Sequence, residues 1–379
     1  MVVLVYVDDL IIVGNDAEKC KRFKKYLQGC FQIKDLGPLS YFLRLEVKRT
    51  NSGIFLSQQK YAKDIIVEVG PEDTKHVESP IPQQHGYSVN IGEPIVNAWL
   101  YRRLIGRLLY LTLTRPDLSF GVQLLSQYLK NSRKPHIDMA KRLVRYIYKA
   151  PSPGIFFPTD NNLVLKAYCD ADWASCPTTR KSVSGFVTFL GNALLTWRSK
   201  KQPTVALSSA EAEYRAMATT TKEIFWLVNL LKDMFVEVPK PIHLRCDNES
   251  AMHIASNPIF HERTKHIELN CHFIREKVQA KLLNFIFVPF HHLLADIFTK
   301  VLGHDQFRKI LCQLRIEVQF INLERCILKY PILLASYNVF FAHISLRGIV
   351  KNWISYFDSK SRDFSNKLKG NTYSKIQVY

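Results

Sequence analysis

Four acidic residues in the second half of the chain constrain the fold most, because each stands where a predicted secondary-structure element begins or ends. They are Asp170, Glu213, Asp247 and Asp296. Residues 163–169 alternate between apolar and polar side chains, which predicts a strand that carries Asp170 at its end. Residues 242–246 predict a second strand, and Asp247 follows it directly. Two strand ends are therefore expected to present carboxylates.

The other two acids stand on predicted helices, the last of the four on a final short one. Ser208 or Ser209 can cap a long amphipathic helix that extends to about residue 234 and carries Glu213 in its first turns. Asp172 and Glu211 are local competitors for places in the site. Glu211 precedes Glu213 by two helical residues and points about 200° away from it, so only one of them can face the other acids.

The order of the predicted elements indicates an α/β fold. Residues 183–190 and 193–198 are further β-rich runs, which together with the first strand predict three antiparallel strands. A helix, a parallel strand, two helices, a strand and a last helix follow. This order predicts a mixed sheet with flanking helices and with the four carboxylates above one point of the sheet. Such oxygen ligands suit Mg²⁺ or Mn²⁺.

Six sequence strings surround these acids in a fixed order. They are AYCDADW at 167–173, RKSVSG at 180–185, SSAEAEY at 208–214, CDN at 246–248, TKHI at 264–267 and LADIFTK at 294–300. The strings resemble the ribonuclease H (RNase H) domain of copia-type retrotransposon Pol polyproteins. The resemblance implies an RNase H-like fold and metal-dependent cleavage of the RNA strand of an RNA–DNA hybrid, recognised by its A-form-like shape and 2′-hydroxyls.

The same resemblance implies roles for the four acids. Asp170, Glu213, Asp247 and Asp296 would be the catalytic residues and would hold two Mg²⁺ or Mn²⁺ ions, about 4 Å apart, that activate a water and stabilise the leaving 3′ oxygen. Asp170 would bridge both ions, Glu213 and Asp247 would support one, and Asp296 would help on the other.

The first residues carry two adjacent aspartates, Asp8 and Asp9, between the apolar runs VVLVYV and LIIVG. This pattern predicts a tight hairpin with the aspartates at its turn. Adjacent carboxylates repel each other, which favours a divalent cation beside them. The string YVDDL resembles the Y-x-D-D metal-binding hairpin of reverse transcriptases, and residues 35–66 and 101–129 resemble the palm-to-thumb and connecting segments of the copia-type Pol polyprotein.

Two features distinguish this region from a complete polymerase of that family. A further catalytic aspartate and the fingers region lie upstream of the hairpin in the family, whereas Met1 stands five residues before Tyr6 here. Arg44 also stands where the family has a glycine, in a turn that contacts the primer. We therefore expect a polymerase remnant, with Asp8 and Asp9 retained, and no DNA synthesis by this chain alone.

These patterns divide the chain into four regions. They are a reverse-transcriptase palm remnant at 1–75, a thumb- or connection-like helical region at 76–154, an RNase H-like domain at 155–303 and a divergent tail at 304–379. An incomplete palm and thumb (α+β) thus precedes the mixed sheet. The tail is basic and aromatic without clear periodicity, so we expect it to be poorly ordered.

Charge and composition indicate the partners. The chain has 52 Lys and Arg against 33 Asp and Glu, a net charge of +19, which favours the nucleic acid backbone as a partner. Residues 197–201 (WRSKK) suit phosphate contact and stacking, or form a solvated hairpin end. No secretory signal is evident, and the uncharged residues 330–344 fall short of the roughly 20 needed to cross a bilayer. We expect a cytoplasmic or nuclear protein without membrane association, and the sequence does not indicate its oligomeric state.

Two histidine groups offer alternative chemistry. The first is His261, His266, Cys271 and His272, which has zinc-ligand residue types but not the spacing of a standard finger. In the resembling family these positions belong to an ordinary helix. The second is His291 and His292, in an apolar loop before the fourth acid, where an imidazole could transfer protons.

The sequence is compatible with two functions. The first is a working RNase H-type endonuclease, which the four intact acids favour. The second is a nucleic-acid-binding remnant of a retroelement whose catalysis has decayed, which Arg44 and the apolar residues 288–295 favour.

Overall fold

The computed structural model describes residues 1–70, 77–83, 92–256, 268–317 and 376–378. The strands within these ranges form three sheets, which are flanked by helices. No helix in the described ranges combines the length and the apolar character needed to cross a membrane.

The amino-terminal hairpin forms as the sequence predicts. The first elements are β1 (Val2–Tyr6), β2 (Asp9–Val13), α1 (Ala17–Cys30) and β3 (Ile33–Asp35). β1 pairs antiparallel with β2, and Tyr6 faces Asp9 across the turn. Asp16 begins α1, because its carboxylate accepts a 3.0 Å hydrogen bond from the Lys19 backbone N–H.

The next strands and helix surround the turn that holds Arg44. The elements are β4 (Tyr41–Phe42), β5 (Leu45–Thr50), β6 (Gly53–Ser57) and α2 (Gln59–Val69). Arg44 has a φ of 62°, in the left-handed region that favours the glycine of the resembling family. A non-glycine residue there costs about 1–2 kcal/mol. The Arg44 guanidinium lies 5.2 Å from the centre of the Tyr61 ring, so the side chain packs over α2.

Three further helices pack with α2 around one apolar core. They are α3 (Ala98–Leu111), α4 (Ser119–Ser126) and α5 (Lys134–Lys149). Between α3 and α4, Arg115 and Asp117 form an ion pair in which both side chains are 2% exposed and Arg115 Nη2 lies 2.7 Å from Asp117 Oδ2. Arg115 Nη1 donates to the Ala150 carbonyl at 2.8 Å. The guanidinium therefore joins the α3–α4 connection to the end of α5.

A mixed sheet follows. Its strands and neighbours are β7 (Gly154–Pro158), β8 (Leu165–Asp172), β9 (Val183–Leu190), β10 (Ala193–Lys201), α6 (Ser209–Asp233), β11 (Ile242–Cys246), α7 (Glu249–Ser256), α8 (Glu268–Gln279) and β12 (Leu283–Phe287). β7 joins β6 in the sheet that contains β4 and β5. The mixed sheet has the order β10-β9-β8-β11-β12, with β8, β9 and β10 antiparallel and β11 parallel to both β8 and β12. This order, with its flanking helices, confirms the predicted α/β fold class.

The segment that carries the fourth acid differs from the prediction. Leu294–Phe298 is a short 3₁₀ segment rather than an α-helix. The Asp296 carbonyl accepts the backbone N–H groups of Thr299 and Lys300, each at 3.1 Å. The segment ends before Thr299, whose φ of −124° departs from helical values.

The start of the tail is ordered, against our expectation for residues 304–379. It forms α9 (His304–Gln313) and β13 (Ile316–Glu317), which pairs antiparallel with β7. Phe307, Ile310 and Leu314 recur at helical spacing and are 5%, 1% and 1% exposed, so α9 has an apolar face that was not predicted from the sequence. β14 (Ile376–Val378) lies parallel between β2 and β3. Residues 318–375 and 379 lie outside the described residues, so for them the expected poor order stays a prediction.

Candidate metal centre

Asp170 lies at the centre of the site. It stands within β8 rather than after it, opposite Gly185 of β9, and is 1% exposed. Thr299 Oγ1 donates a short hydrogen bond to Asp170 Oδ2, and Lys300 Nζ lies 3.5 Å from the same oxygen. Both donors come from the segment that follows Leu294–Phe298, so the carboxylate is held by a distant part of the chain.

Glu213 reaches Asp170 from α6. Ser208 caps this helix, accepting a 3.2 Å hydrogen bond from the Glu211 backbone N–H. Glu213 Oε1 accepts the Ala171 backbone N–H at 2.9 Å, whereas the buried Glu213 Oε2 has no hydrogen-bond partner among the described residues.

Glu211 points elsewhere, as the helical geometry predicts. Its Oε1 accepts the Arg215 guanidinium at 2.7 Å, and its Oε2 accepts the Leu207 backbone N–H at 2.8 Å. Glu211 therefore stabilises the start of α6, and Glu213 is the acid that α6 contributes to the site.

Asp247 follows β11 and completes a cluster of three acids. One carboxylate oxygen from each of Asp170, Glu213 and Asp247 lies within 4.8 Å of those of the other two. β11 is parallel to β8, with Arg245 opposite Tyr168. This register brings the end of β11 beside Asp170, which is why acids 77 positions apart in sequence meet.

Asp296 joins the cluster through a lysine. Lys300 Nζ lies 3.1 Å from Asp296 Oδ1, and this ammonium group is also the one near Asp170. Asp296 and Lys300 are four residues apart on one short segment. The lysine thus connects the fourth acid to the first.

Gly185 allows this segment to approach the sheet. A Cβ on Gly185 would lie 2.7 Å from Phe298 Cβ, 2.8 Å from Thr299 Cγ2 and 3.2 Å from the Ala295 carbonyl oxygen. All three distances are below ordinary van der Waals contact. Only the absence of a side chain at this point of β9 lets Thr299 reach Asp170.

Burial and mutual repulsion raise the pKa of the clustered acids. Burial, followed by the charge of Asp170, raises the pKa of Asp247 above its usual range and that of Asp296 to about 7. The same two causes raise the pKa of Glu213 well above its usual range. Burial opposes the charge on Lys300, but Asp170 and Asp296 raise its pKa above the ordinary value, so it stays a cation.

These observations fit a divalent cation. Several carboxylates buried together are costly unless positive charge is supplied, and one ammonium group does not balance four acids. The ligand atoms are all carboxylate oxygens, and Glu213 Oε2 is buried without a hydrogen-bond partner among the described residues. This donor set is the kind that hard cations prefer. The buried acidic triad therefore suggests a divalent metal site.

The other predicted site residues lie apart from this cluster. Asp172 is on the same strand, and burial and the charge of Asp170 raise its pKa, but it is outside the three-acid group. Asp8 is exposed and Asp9 half-buried at the β1–β2 turn. Within the described ranges, the group of Asp170 and its two neighbours is the one place where three possible metal ligands meet.

The histidine groups and the basic run have other surroundings. His261 and His266 lie outside the described residues, as does the side chain of Cys271, and His272 is exposed on α8. The His291 ring lies beside the Phe290 ring, with ring centres 3.5 Å apart and ring planes tilted by 48°, while His292 lines a cavity together with Leu294.

In the basic run, Trp197 Nε1 donates to the Thr112 carbonyl at 3.0 Å and Lys201 Nζ donates to Gln127 Oε1 at 2.7 Å. These two side chains of residues 197–201 therefore contact the helical region rather than extending freely into solvent.

Three residues that position the site were not singled out from sequence. They are Gly185, Thr299 and Lys300. A lysine four residues after an acid is a detectable signal on a helix, since such side chains meet. The approach of Thr299 to Asp170 has no local signal, because it spans 129 residues.

Known proteins resemble this chain along most of its length. A family profile described as reverse transcriptase (RNA-dependent DNA polymerase) matches residues 1–83. The retrovirus-related Pol polyprotein from transposon RE1 of Arabidopsis thaliana is 39% identical over 305 residues, which are 80% of this chain and 21% of that protein. A putative transposon Ty5-1 protein of Saccharomyces cerevisiae is 32% identical over 59% of this chain and 73% of its own length.

The chain belongs to the copia-type family of retrotransposon Pol polyproteins. It spans about a fifth of the length of the RE1 polyprotein. Among solved structures, LC11-RNase H1, isolated from compost, is 16% identical, with a TM-score of 0.29 over 39% of this chain and 99% of that one.

Proposed function

We propose that residues 155–303 form an RNase H-type endonuclease that cleaves the RNA strand of RNA–DNA hybrids. The observation that carries this proposal is the meeting of Asp170, Glu213 and Asp247, whose carboxylate oxygens lie within 4.8 Å of one another above a mixed sheet. Asp296 is proposed as the fourth ligand, connected to Asp170 through Lys300. In the same proposal, Asp8 and Asp9 belong to a metal-binding hairpin of the polymerase type.

The proposed cofactor is a pair of Mg²⁺ or Mn²⁺ ions held by these four acids. When bound, the ions would supply a water nucleophile and neutralise the charge that develops on the phosphodiester. The protein's own part is to hold the carboxylates ready. Thr299 orients Asp170, the Ala171 backbone N–H orients Glu213, and Lys300 keeps the acids together by balancing part of their charge.

The proposed substrate is supported by charge and by family. A net charge of +19 favours a polyanion, and a protein of this family meets RNA–DNA hybrids wherever reverse transcription occurs. Recognition through hybrid shape and 2′-hydroxyls needs no base contacts. We therefore expect cleavage to depend little on sequence and to require RNA in the cleaved strand.

A nucleic-acid-binding protein without cleavage is the second candidate. The observation that favours it is Lys300, whose ammonium group lies 3.5 Å from Asp170 and 3.1 Å from Asp296. An internal cation at this place competes with a metal ion for the same oxygens. The apolar residues 288–295, next to Asp296, contribute few polar groups to a reaction.

Cleavage of a labelled RNA–DNA hybrid by the full chain decides between these functions. We expect cutting with Mg²⁺ or Mn²⁺ and none with EDTA. Asp170→Asn should reduce cutting to the EDTA level and leave hybrid binding unchanged, because it removes a ligand without altering the basic surface. Asp160→Asn, which changes an exposed aspartate outside the site, is the matched control.

Two results would contradict the endonuclease. One is no cutting by a folded chain that binds the hybrid, which would support the binding protein instead. The other is equal loss of binding and cutting in the Asp170→Asn variant, which would contradict the assignment of Asp170 as a metal ligand.

A further inference from the structure

A cavity of about 400 Å³ lies on the face of the mixed sheet that also carries Asp170. Side chains alternate along a strand, so Lys166, Tyr168 and Asp170 of β8 share one face, while Leu165, Ala167 and Cys169 are buried on the other beneath α6. The cavity lining comes from β8, β9, β11, the loop before Leu294–Phe298 and the end of α9. It includes Lys166, Tyr168, Phe189, Arg245 and Arg315.

Three cations line this cavity, and none of the described lining residues is acidic. Arg245 Nη1 is buried and has no hydrogen-bond partner in the part of the chain that the structure describes. The Arg245 guanidinium lies 5.3 Å from the centre of the Tyr168 ring, and Lys166 Nζ lies 5.4 Å from that of Phe189. Each of these two cations thus lies against an aromatic ring, while Nη1 of Arg245 has no acceptor among the described residues.

The cations act on one another. Burial, together with the charges of Arg245 and Arg315, lowers the pKa of Lys166. Positive charges gathered without an acid repel each other, and a bound anion would relieve that repulsion. The cavity therefore has the electrostatic character of an anion site.

Arg315 brings a third cation to the cavity. It follows the end of α9 with a φ of 53°, a left-handed position at which helices usually place glycine. Phe235 after α6 and Lys281 after α8 have the same left-handed conformation, with φ of 60° and 52°. The turn that ends α9 thus places Arg315 in the lining of the cavity.

We propose that this cationic cavity binds a phosphate group of the nucleic acid backbone. Planar guanidinium groups match the oxygens of a phosphate with paired N–H donors, which suits Arg245 and Arg315. Lys166 precedes Asp170 by four residues, a distance of about 13 Å along the strand. The bound phosphate would therefore be a different one from the phosphate at the acidic cluster.

This inference rests on the proposed function for its substrate and adds a second backbone contact to it. It is tested with the full chain and a labelled RNA–DNA hybrid in EDTA, by fluorescence anisotropy between about 50 and 200 mM salt. We expect Arg245→Gln to weaken binding about tenfold and to lower the slope of log affinity against log salt by about one. Arg315→Gln, which changes an exposed residue, should also weaken binding and lower this slope.

Lys232→Gln is the matched control, because Lys232 is exposed at the end of α6, the helix that packs on the opposite face of the sheet. It should leave the affinity and the slope close to those of the wild type. Wild-type affinity and slope in both arginine variants would overturn the proposal. Thermal midpoints of all three variants identify any loss of folding, and Arg315→Gln keeps the test valid if Arg245→Gln unfolds.

A titration with inorganic phosphate, followed by the thermal midpoint, separates the two sources of phosphate. Suppose that phosphate raises the thermal midpoint of the wild type but not that of Arg245→Gln, and that the two bind the hybrid equally well. The cavity would then hold free phosphate, and the assignment to the nucleic acid backbone would be overturned. Because every binding measurement is made in EDTA, absence of cleavage would contradict the endonuclease while leaving this test intact.

Discussion

The substitution Gly185→Ala tests how the acidic cluster is assembled. An added Cβ would lie 2.7 Å from Phe298 Cβ and 2.8 Å from Thr299 Cγ2, whereas carbon atoms in contact prefer about 3.5–4.0 Å. The segment that carries Asp296 must therefore retreat from β9 by roughly 1 Å. Overpacking of this size costs about 1–3 kcal/mol of stability, and a 1 Å displacement of a reacting group costs about 100-fold in rate.

Two assays measure these effects separately. Urea unfolding of the full chain should give the loss of stability, and hybrid cleavage should give the loss of rate. Gly106→Ala is the control, since no atom beyond its chain neighbours and the local backbone of α3 lies within 4 Å of a Cβ added at that position. An alanine there should raise helix stability by about 1 kcal/mol and leave cleavage unchanged. Wild-type stability and wild-type cleavage in Gly185→Ala would refute the reasoning.

Three further outcomes follow from the charges. Folding raises the pKa of Asp296 to about 7, so between about pH 4 and pH 7 the folded chain keeps a proton that the unfolded chain releases. In EDTA, the unfolding free energy of the wild type should therefore fall, relative to that of Asp296→Asn, as the pH rises through this range. Urea unfolding at both ends of this range checks it, and a constant difference would contradict it. Lys300→Met should bind Mg²⁺ several-fold more tightly in titration calorimetry, since it removes a competing cation; weaker binding would argue against that competition. Asp117→Asn should lower stability by about 3–5 kcal/mol in urea, because the buried Arg115 charge loses its partner, and a loss below about 1 kcal/mol would exclude that role.

Much of the site was predictable because its signals are local. Alternation along residues 163–169 predicted the strand of Asp170, and the serine before α6 predicted where that helix begins. The two-residue spacing of Glu211 and Glu213 predicted that only one would face the cluster, and Glu213 does. Each inference depends on neighbours within one or two turns, whose geometry is the same in any fold.

Other features had weak or misleading local signals. The segment at Asp296 was expected to be an α-helix, but it is a short 3₁₀ segment that ends before Thr299, where φ is −124°. α9 has its apolar face over only three turns, too short a pattern to stand out in a basic tail. Arg44 was recognised as a departure, but its left-handed backbone is visible only in the fold.

The sequence by itself determined the strand that carries Asp170, the strand before Asp247, the start of α6, and which carboxylates are available to a metal. Only the tertiary structure decided that Thr299 and Lys300 reach Asp170, that Gly185 makes room for them, and that Lys166, Arg245 and Arg315 surround one cavity. The physical reason is that periodicity and capping act through neighbours in sequence. These contacts join residues far apart in sequence, and their free energy exists only after the sheet has set its register and the chain has packed against it.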